Sequence, residues 1–307
     1  MQTEVNYVKN KITFITERMV RNMPKQHLKL KQIKPNQAIY HYTKSNGVQG
    51  ILGDMAFYAT KSDFLNDTKE MYYTLYVVDQ VIKEIKDLKM RKLLKNKLDQ
   101  HLDILEKQWF FITSFSDDPD SITLWAEFGD KTGYNLEFNS TELLERIRDN
   151  RRIVHHGYLI YSWEEQKAII RDLLFEKVPQ RIGMPFKQIM YCAENDVDAI
   201  CFNSFCKEFL EVISIYSLFF KQEEFAAERE YRMVFIESDP EKIEFRAKDG
   251  FLMPYIKIDV KGEKSFIKKI TVAPKNHVDL AKAGMELFSQ HYGYDVEVML
   301  SKIHLRY

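Results

Sequence analysis

Short runs of β-branched and aromatic residues recur along nearly the whole chain, separated by stretches of helical period, and this interleaving is what most constrains the fold. The runs read as strands over 38–42, 55–60, 108–115 and 134–138, from Ile153 into a helix at Glu164, and then over 231–236, 251–260, 267–273 and 296–300. Helical patterns occupy 3–30, 68–107, 122–128, 195–221 and 278–291. Helical insertions of unequal length that interrupt strands predict an α+β fold with a mixed, mainly antiparallel sheet. Repeats, low-complexity tracts and linkers are absent, so the expected division is a helical N-terminal arm over 1–35 and a single α+β domain over 36–307.

The chain of 307 residues is 45% apolar, enough for a substantial core. Its 45 basic residues balance 45 acidic ones, so no global field draws it to nucleic acid or an anionic membrane. The basic patch Lys25, His27, Lys29, Lys31 and Lys34 reads as a solvated face. No run reaches the roughly 18–20 apolar residues of a membrane span, and the first residues lack a signal-peptide order. The expected compartment is the cytoplasm, with no membrane partner. Cys192, Cys201 and Cys206 are not spaced as CxxC and read as free thiols on a helix, so no metal is expected. Glycine-cradled phosphate motifs are absent; Gly47, Gly50 and Gly53 read as packing and capping glycines around a helical turn.

Three stretches concentrate side chains suited to a site. In the first, His41 and Tyr42 close a strand, a helical turn follows over 45–52, and the next strand delivers Tyr58 and Thr60 ahead of a loop with Ser62, Asn66 and Asp67. Strand ends and the loops after them are where reactive groups are carried. In the second, Glu228, Glu230 and Arg232 alternate at what reads as the start of a strand, on one face. Three charges on one face call for solvent or a site; a charged edge strand gives the same pattern. In the third, Ser114 and Ser116 end a strand, Trp125 sits on the next helix and Tyr134 opens the next strand. Hydroxyls beside aromatics suit a flat polar ligand, although Trp125 as core and the serines as turn caps fit the same spacing. His155 and His156 are adjacent and face opposite sides of a strand, and HExxH and GxSxG are absent.

The motifs IYHYT, FLND, SFSDDPDSITLW and EREYR, in this order and with the closing segment from Ile270 onward, make the chain from about residue 38 similar to a bacterial domain-of-unknown-function family often found near phage-defence genes. That layout in turn resembles, more distantly, the ADP-ribosyltransferase superfamily. The resemblance implies an ADP-ribosyltransferase-like core that consumes NAD as a substrate, in a phage-defence effector or toxin. It implies that His41 bonds the adenosine-side ribose, that Tyr58 or Tyr134 stacks on nicotinamide, and that Glu230, or Glu228 in its place, is the late catalytic acid. Tyr42, Thr60, Asn66, Ser114, Ser116, Trp125 and Arg232 then complete the nucleotide site. The implied partners are a small-molecule nucleotide and a protein or nucleic-acid acceptor. One departure is that Tyr42, Thr43 and Lys44 follow His41 where many superfamily members have Gly or Arg.

The residue types suit that chemistry. Cleaving nicotinamide from ribose develops oxocarbenium charge, which a carboxylate bonded to the 2′-hydroxyl stabilises where it forms, while an aromatic face and His41 supply orientation. Two other readings compete: a non-catalytic module that senses a nucleotide or phage component, and a metal-dependent nuclease using Asp67, Glu228 and Glu230.

Overall fold

The computed structural model describes residues 28–65, 70–102, 109–128, 133–194, 199–248, 250–274 and 278–303. Among them ten strands build one sheet: β1 (Ala38–Thr43), β2 (Ala56–Lys61), β3 (Phe110–Ser116), β4 (Tyr134–Asn139), β5 (His155–Tyr158), β6 (Glu230–Ile236), β7 (Glu244–Lys248), β8 (Phe251–Asp259), β9 (Ile267–Val272) and β10 (Glu297–Leu300). The path runs β10-β9-β4-β1-β3-β2-β8-β7, and β6 pairs with β3 and β5 off it. β9 and β10 are parallel and every other pairing is antiparallel. The protein is therefore an α+β fold on a mixed, mostly antiparallel sheet.

The sheet divides along β3. One edge of β3 is paired over its full length with β6, from Phe110 opposite Ile236 to Ser116 opposite Glu230. The other edge is shared: β1 meets it at Tyr40 opposite Ser116, and β2 meets it at Thr60 and Lys61 opposite Ile112 and Phe111. From Thr113 to Phe115 that edge has no strand beside it among the described residues. β1 and β2 thus splay apart, and their connection, a helical turn (Ser45–Val48) running into a π turn (Gln49–Gly53), buries Val48, Ile51 and Leu52 in the core. Gly50 permits this turn, because a Cβ there would lie 2.7 Å from the Tyr58 ring.

The two largest of the four apolar clusters among the described residues flank this arrangement. One joins the sheet to the helices Ser140–Asn150 and Val278–His291 through residues such as Phe57, Phe138, Leu143, Ile147 and Met285. The other lies among the helices Glu70–Ile82, Leu88–Asp99, Trp163–Asp172, Phe186–Glu194 and Ala199–Tyr216, centred on Phe205, Phe209 and Phe220.

Several expectations are corrected. Of the helical arm, residues 1–27 lie outside the described residues, and 28–35 contain no helix. Leu28 and Leu30 alternate inward in extended backbone, Pro35 disfavours helix before it, and the Lys31 carbonyl accepts from Tyr158 N–H at 2.9 Å. Gly157 admits this crossing, since a Cβ there would sit 2.7 Å from Leu30 Cβ. Of the helix expected over 195–221, residues 195–198 lie outside the described residues, Ala199–Tyr216 are helical, and the helix ends before 217. Glu228 is not on the strand with Glu230 and Arg232: it ends a 3₁₀ turn (Glu223–Glu228), and Arg229, at φ 48°, turns the chain into β6. β6 is no edge strand either, being paired on both sides and buried on both faces, which is why its run MVF is continuously apolar. No helix of the described residues is long and apolar enough to cross a membrane.

Candidate functional site

A cleft of about 520 Å³ lies at the division of the sheet. β1 contributes His41 and Tyr42, β2 Tyr58 and Thr60, β3 Ser114 and Ser116, and β6 Glu230 and Arg232; Glu228 and Lys221 reach it from the segment before β6. Residues far apart in sequence meet here because β3 is flanked by β1 and β2 on one edge and by β6 on the other.

His41 sits in the gap itself. Its Nδ1 lies 2.8 Å from the Ser114 carbonyl, on the edge of β3 that neither β1 nor β2 covers there, so Nδ1 carries the proton and Nε2 is left as an acceptor. Phe57 and Phe115 hold the ring, each with centroids 5.4 Å away. Burial lowers its pKa to about 4, the Arg246 charge acting in the same direction against the Ser114 carbonyl. The imidazole is therefore neutral at pH 7.

Beneath it is a buried cluster of two acids and two cations. Arg232 Nε and Nη2 bond the two oxygens of Glu230 at 2.7 and 3.1 Å, and Arg232 Nη1 donates to the Leu218 carbonyl at 2.8 Å. Lys221 Nζ lies 2.5 Å from Glu228 Oε2 and 3.6 Å from Glu230 Oε2. The register explains the meeting: Arg232 is opposite Ser114 and Glu230 opposite Ser116, on neighbouring strands. Burial works against the charge of Glu230, but Arg232, Lys221 and the Ser114 hydroxyl outweigh it and hold its pKa below the usual carboxylate range. Glu228 is displaced the other way, by burial first and the Glu230 charge second, against the pull of Lys221. Its Oε2 is bound by Lys221, whereas its Oε1 is buried with no hydrogen-bond partner among the described residues. Glu228, 2% exposed, thus lines the cleft with one carboxyl oxygen unbonded.

The remaining sequence candidates are placed as follows. Tyr58 lines the cleft, its ring tilted against Tyr255 with centroids 4.9 Å apart and its hydroxyl donating to Asp54 at 2.7 Å. Tyr134 does not line it; its ring packs against the sheet core. Trp125 is buried behind the wall, edge-on to Tyr42 at 4.8 Å, with its indole N–H on Asp120 at 2.7 Å. The Tyr42 hydroxyl is committed to the Asp118 carbonyl and the Ser121 N–H at 2.8 and 2.9 Å, and thus shapes the wall. Ser116 Oγ donates to the Glu228 carbonyl at 2.8 Å, positioning the turn that carries the acid. Thr60 Oγ1 accepts from Arg246 Nη2 at 2.8 Å. Asn66 and Asp67 lie outside the described residues. Among the described residues no group of three or more His, Cys, Asp or Glu is arranged to hold a metal ion.

Lys221 and Arg246 escape the motif reading. Lys221 had a visible signal, a lone cation closing the apolar run SLFF; Arg246, in EFRAK, had none beyond strand alternation.

The fold and site define an α+β protein with a polar, charge-lined cleft in a divided sheet. Residues 124–233 match the model of a family described as Protein of unknown function (DUF2971). The match takes in Lys221, Glu228, Glu230 and Arg232, and leaves out His41, Tyr58 and Arg246. No curated protein and no solved structure matches the chain.

Proposed function

We propose that the cleft takes NAD as a substrate and cleaves its nicotinamide–ribose bond, passing ADP-ribose to a protein or nucleic-acid acceptor, on an ADP-ribosyltransferase-like core. The observation that carries this reading is that His41 of the first strand and Glu228 and Glu230 of a segment late in the chain line one cleft. In the reaction the C1′–N bond breaks with its electron pair leaving on neutral nicotinamide. The ribosyl cation is captured by an acceptor oxygen or nitrogen, whose proton is released. Glu230 supplies a fixed negative charge, and the unpartnered Oε1 of Glu228 accepts from the ribose hydroxyl that gains positive character. Neutral His41 bonds the ribose on the adenosine side through Nε2, and Tyr58 offers the ring for nicotinamide.

A second reading, a nucleotide-sensing module without turnover, is favoured by one feature: Arg232 and Lys221 occupy Glu230 so fully that its charge is already compensated. Nicotinamide release from NAD by purified protein, with candidate acceptors present, separates the two. Release that falls at least about a hundredfold in Glu228→Gln, with the fold retained, supports the enzyme. NAD binding without release supports the sensor, and release undiminished in Glu228→Gln removes the assigned acid.

A further inference from the structure

β7 and β8 form a hairpin at the end of the sheet path, and its inner side closes the cleft with Arg246, Lys248 and Met253. Arg246 differs from the other guanidinium of the cleft in its counter-charge. Arg232 is locked to Glu230, whereas no carboxylate of the described residues reaches Arg246. Its polar contacts are Thr60 Oγ1 at 2.8 Å and Met253 Sδ at 3.5 Å, and its guanidinium lies 5.5 Å from the centre of the Tyr255 ring. Glu244, two residues earlier on the same strand, is taken by the Tyr255 hydroxyl at 2.8 Å and Lys257 at 3.3 Å. A half-buried guanidinium without an anion carries a desolvation cost, and burial pulls its pKa down accordingly. Thr60 and Tyr255 nevertheless hold it in place, with donors to spare of the five a guanidinium offers. A planar fork of N–H groups fixed in this way matches two oxygens of a phosphoryl group.

We propose that Arg246, held by Thr60 and Tyr255, is a phosphoryl-binding subsite of the cleft that takes the pyrophosphate of a small nucleotide. The choice of a nucleotide diphosphate rests on the NAD reading above; the anion subsite rests on the arginine. His41 and Arg246 line the same cleft, so a phosphoryl group on Arg246 shares it with the imidazole assigned to the ribose.

The test is calorimetric titration of the full chain with inorganic pyrophosphate and, separately, ADP-ribose, neither of which contains nicotinamide. Both probes bind the wild type, more weakly as salt is raised, and bind Arg246→Gln at least about tenfold more weakly. Arg246→Lys, which keeps the charge and loses the fork, gives an intermediate affinity and is the deciding variant should Arg246→Gln fail to fold. Equal affinity for wild type and variants overturns the proposal, as does binding of neither probe, or of a single-stranded oligonucleotide in their place. Because these probes bypass turnover, loss of the subsite leaves nicotinamide release to be judged through Glu228, and absence of release leaves the subsite standing.

Discussion

Arg232 shows at the level of one residue how the cleft is held. Removing it takes the two-point partner from the buried Glu230 carboxylate and leaves Lys221 at 3.6 Å, and breaking a buried pair in this way costs about 3–5 kcal/mol. Arg232→Leu should therefore lower the urea midpoint sharply, and the double change Glu230→Leu with Arg232→Leu should recover most of the loss; a neutral Arg232→Leu would contradict the buried pair. The histidines give a second residue-level prediction. His41 and His156 both fall from about 6.5 unfolded to about 4 folded, His41 mainly through burial and His156 through burial and the Arg148 charge. Between these values the unfolded chain binds more protons, so their stabilisation is complete above about pH 6.5 and is lost as pH falls towards 4, on the order of 3 kcal/mol each. Glu228, raised in the fold, slopes the opposite way, and Glu230, lowered, acts only at more acid pH. The measurable quantity is consequently the difference between wild type and His41→Gln in stability against pH: the wild type should lose more between pH 6.5 and 4. Identical slopes would mean that His41 is not buried as a neutral ring. Of these residues His41 is legible in the sequence as a polar ring at a strand end and Glu230 and Arg232 as charges alternating on one strand face, whereas Glu228 proves to lie on the turn before that strand and the bonding of all four is not legible. Which acid keeps an open oxygen depends on Lys221, seven residues before Glu228 and joined to it only by the fold.

At the scale of elements, the turn between β1 and β2 makes the sharpest prediction. Gly50 lies under the Tyr58 ring, which Asp54 and Tyr255 hold from the other sides, so Gly50→Ala displaces the ring and should cost about 1–3 kcal/mol. The same change made in a Tyr58→Ala background should cost clearly less in a urea double-mutant cycle; equal costs would show that the ring yields freely. Strands with strong aromatic and β-branched content, such as β3, β4, β8 and β9, and the helix Val278–His291 are readable from period alone. The helix Ser140–Asn150 goes unread although its cap is written in the sequence, Asn139 accepting from the amides of Thr141 and Glu142. β7 goes unread because its short alternation EFRAK turns Phe245 and Ala247 outward and Arg246 inward, the reverse of a core-facing strand. Residues 28–35 invert a helical expectation because an extended backbone is needed to cross Gly157 of β5.

For the molecule as a whole, the α+β class is legible because local period reports elements, but the division of the sheet is not. It depends on β3 accepting β1 at one end and β2 at the other of a single edge, pairings that join residues 40 with 116 and 60 with 112, and no local pattern encodes such a choice. The cleft follows from that division, and so does the meeting of His41 with Glu228 and Glu230. Arg246 joins them from a hairpin whose sequence carries no site signal. The most direct test of the central claim is a crystal structure of the Glu228→Gln protein grown with NAD. The predicted result is a dinucleotide lying in the gap between β1 and β2, with its pyrophosphate on Arg246, its nicotinamide ring beside Tyr58 and its nicotinamide-side ribose at position 228. NAD seated elsewhere on the protein, with this gap filled by side chains alone, would contradict it.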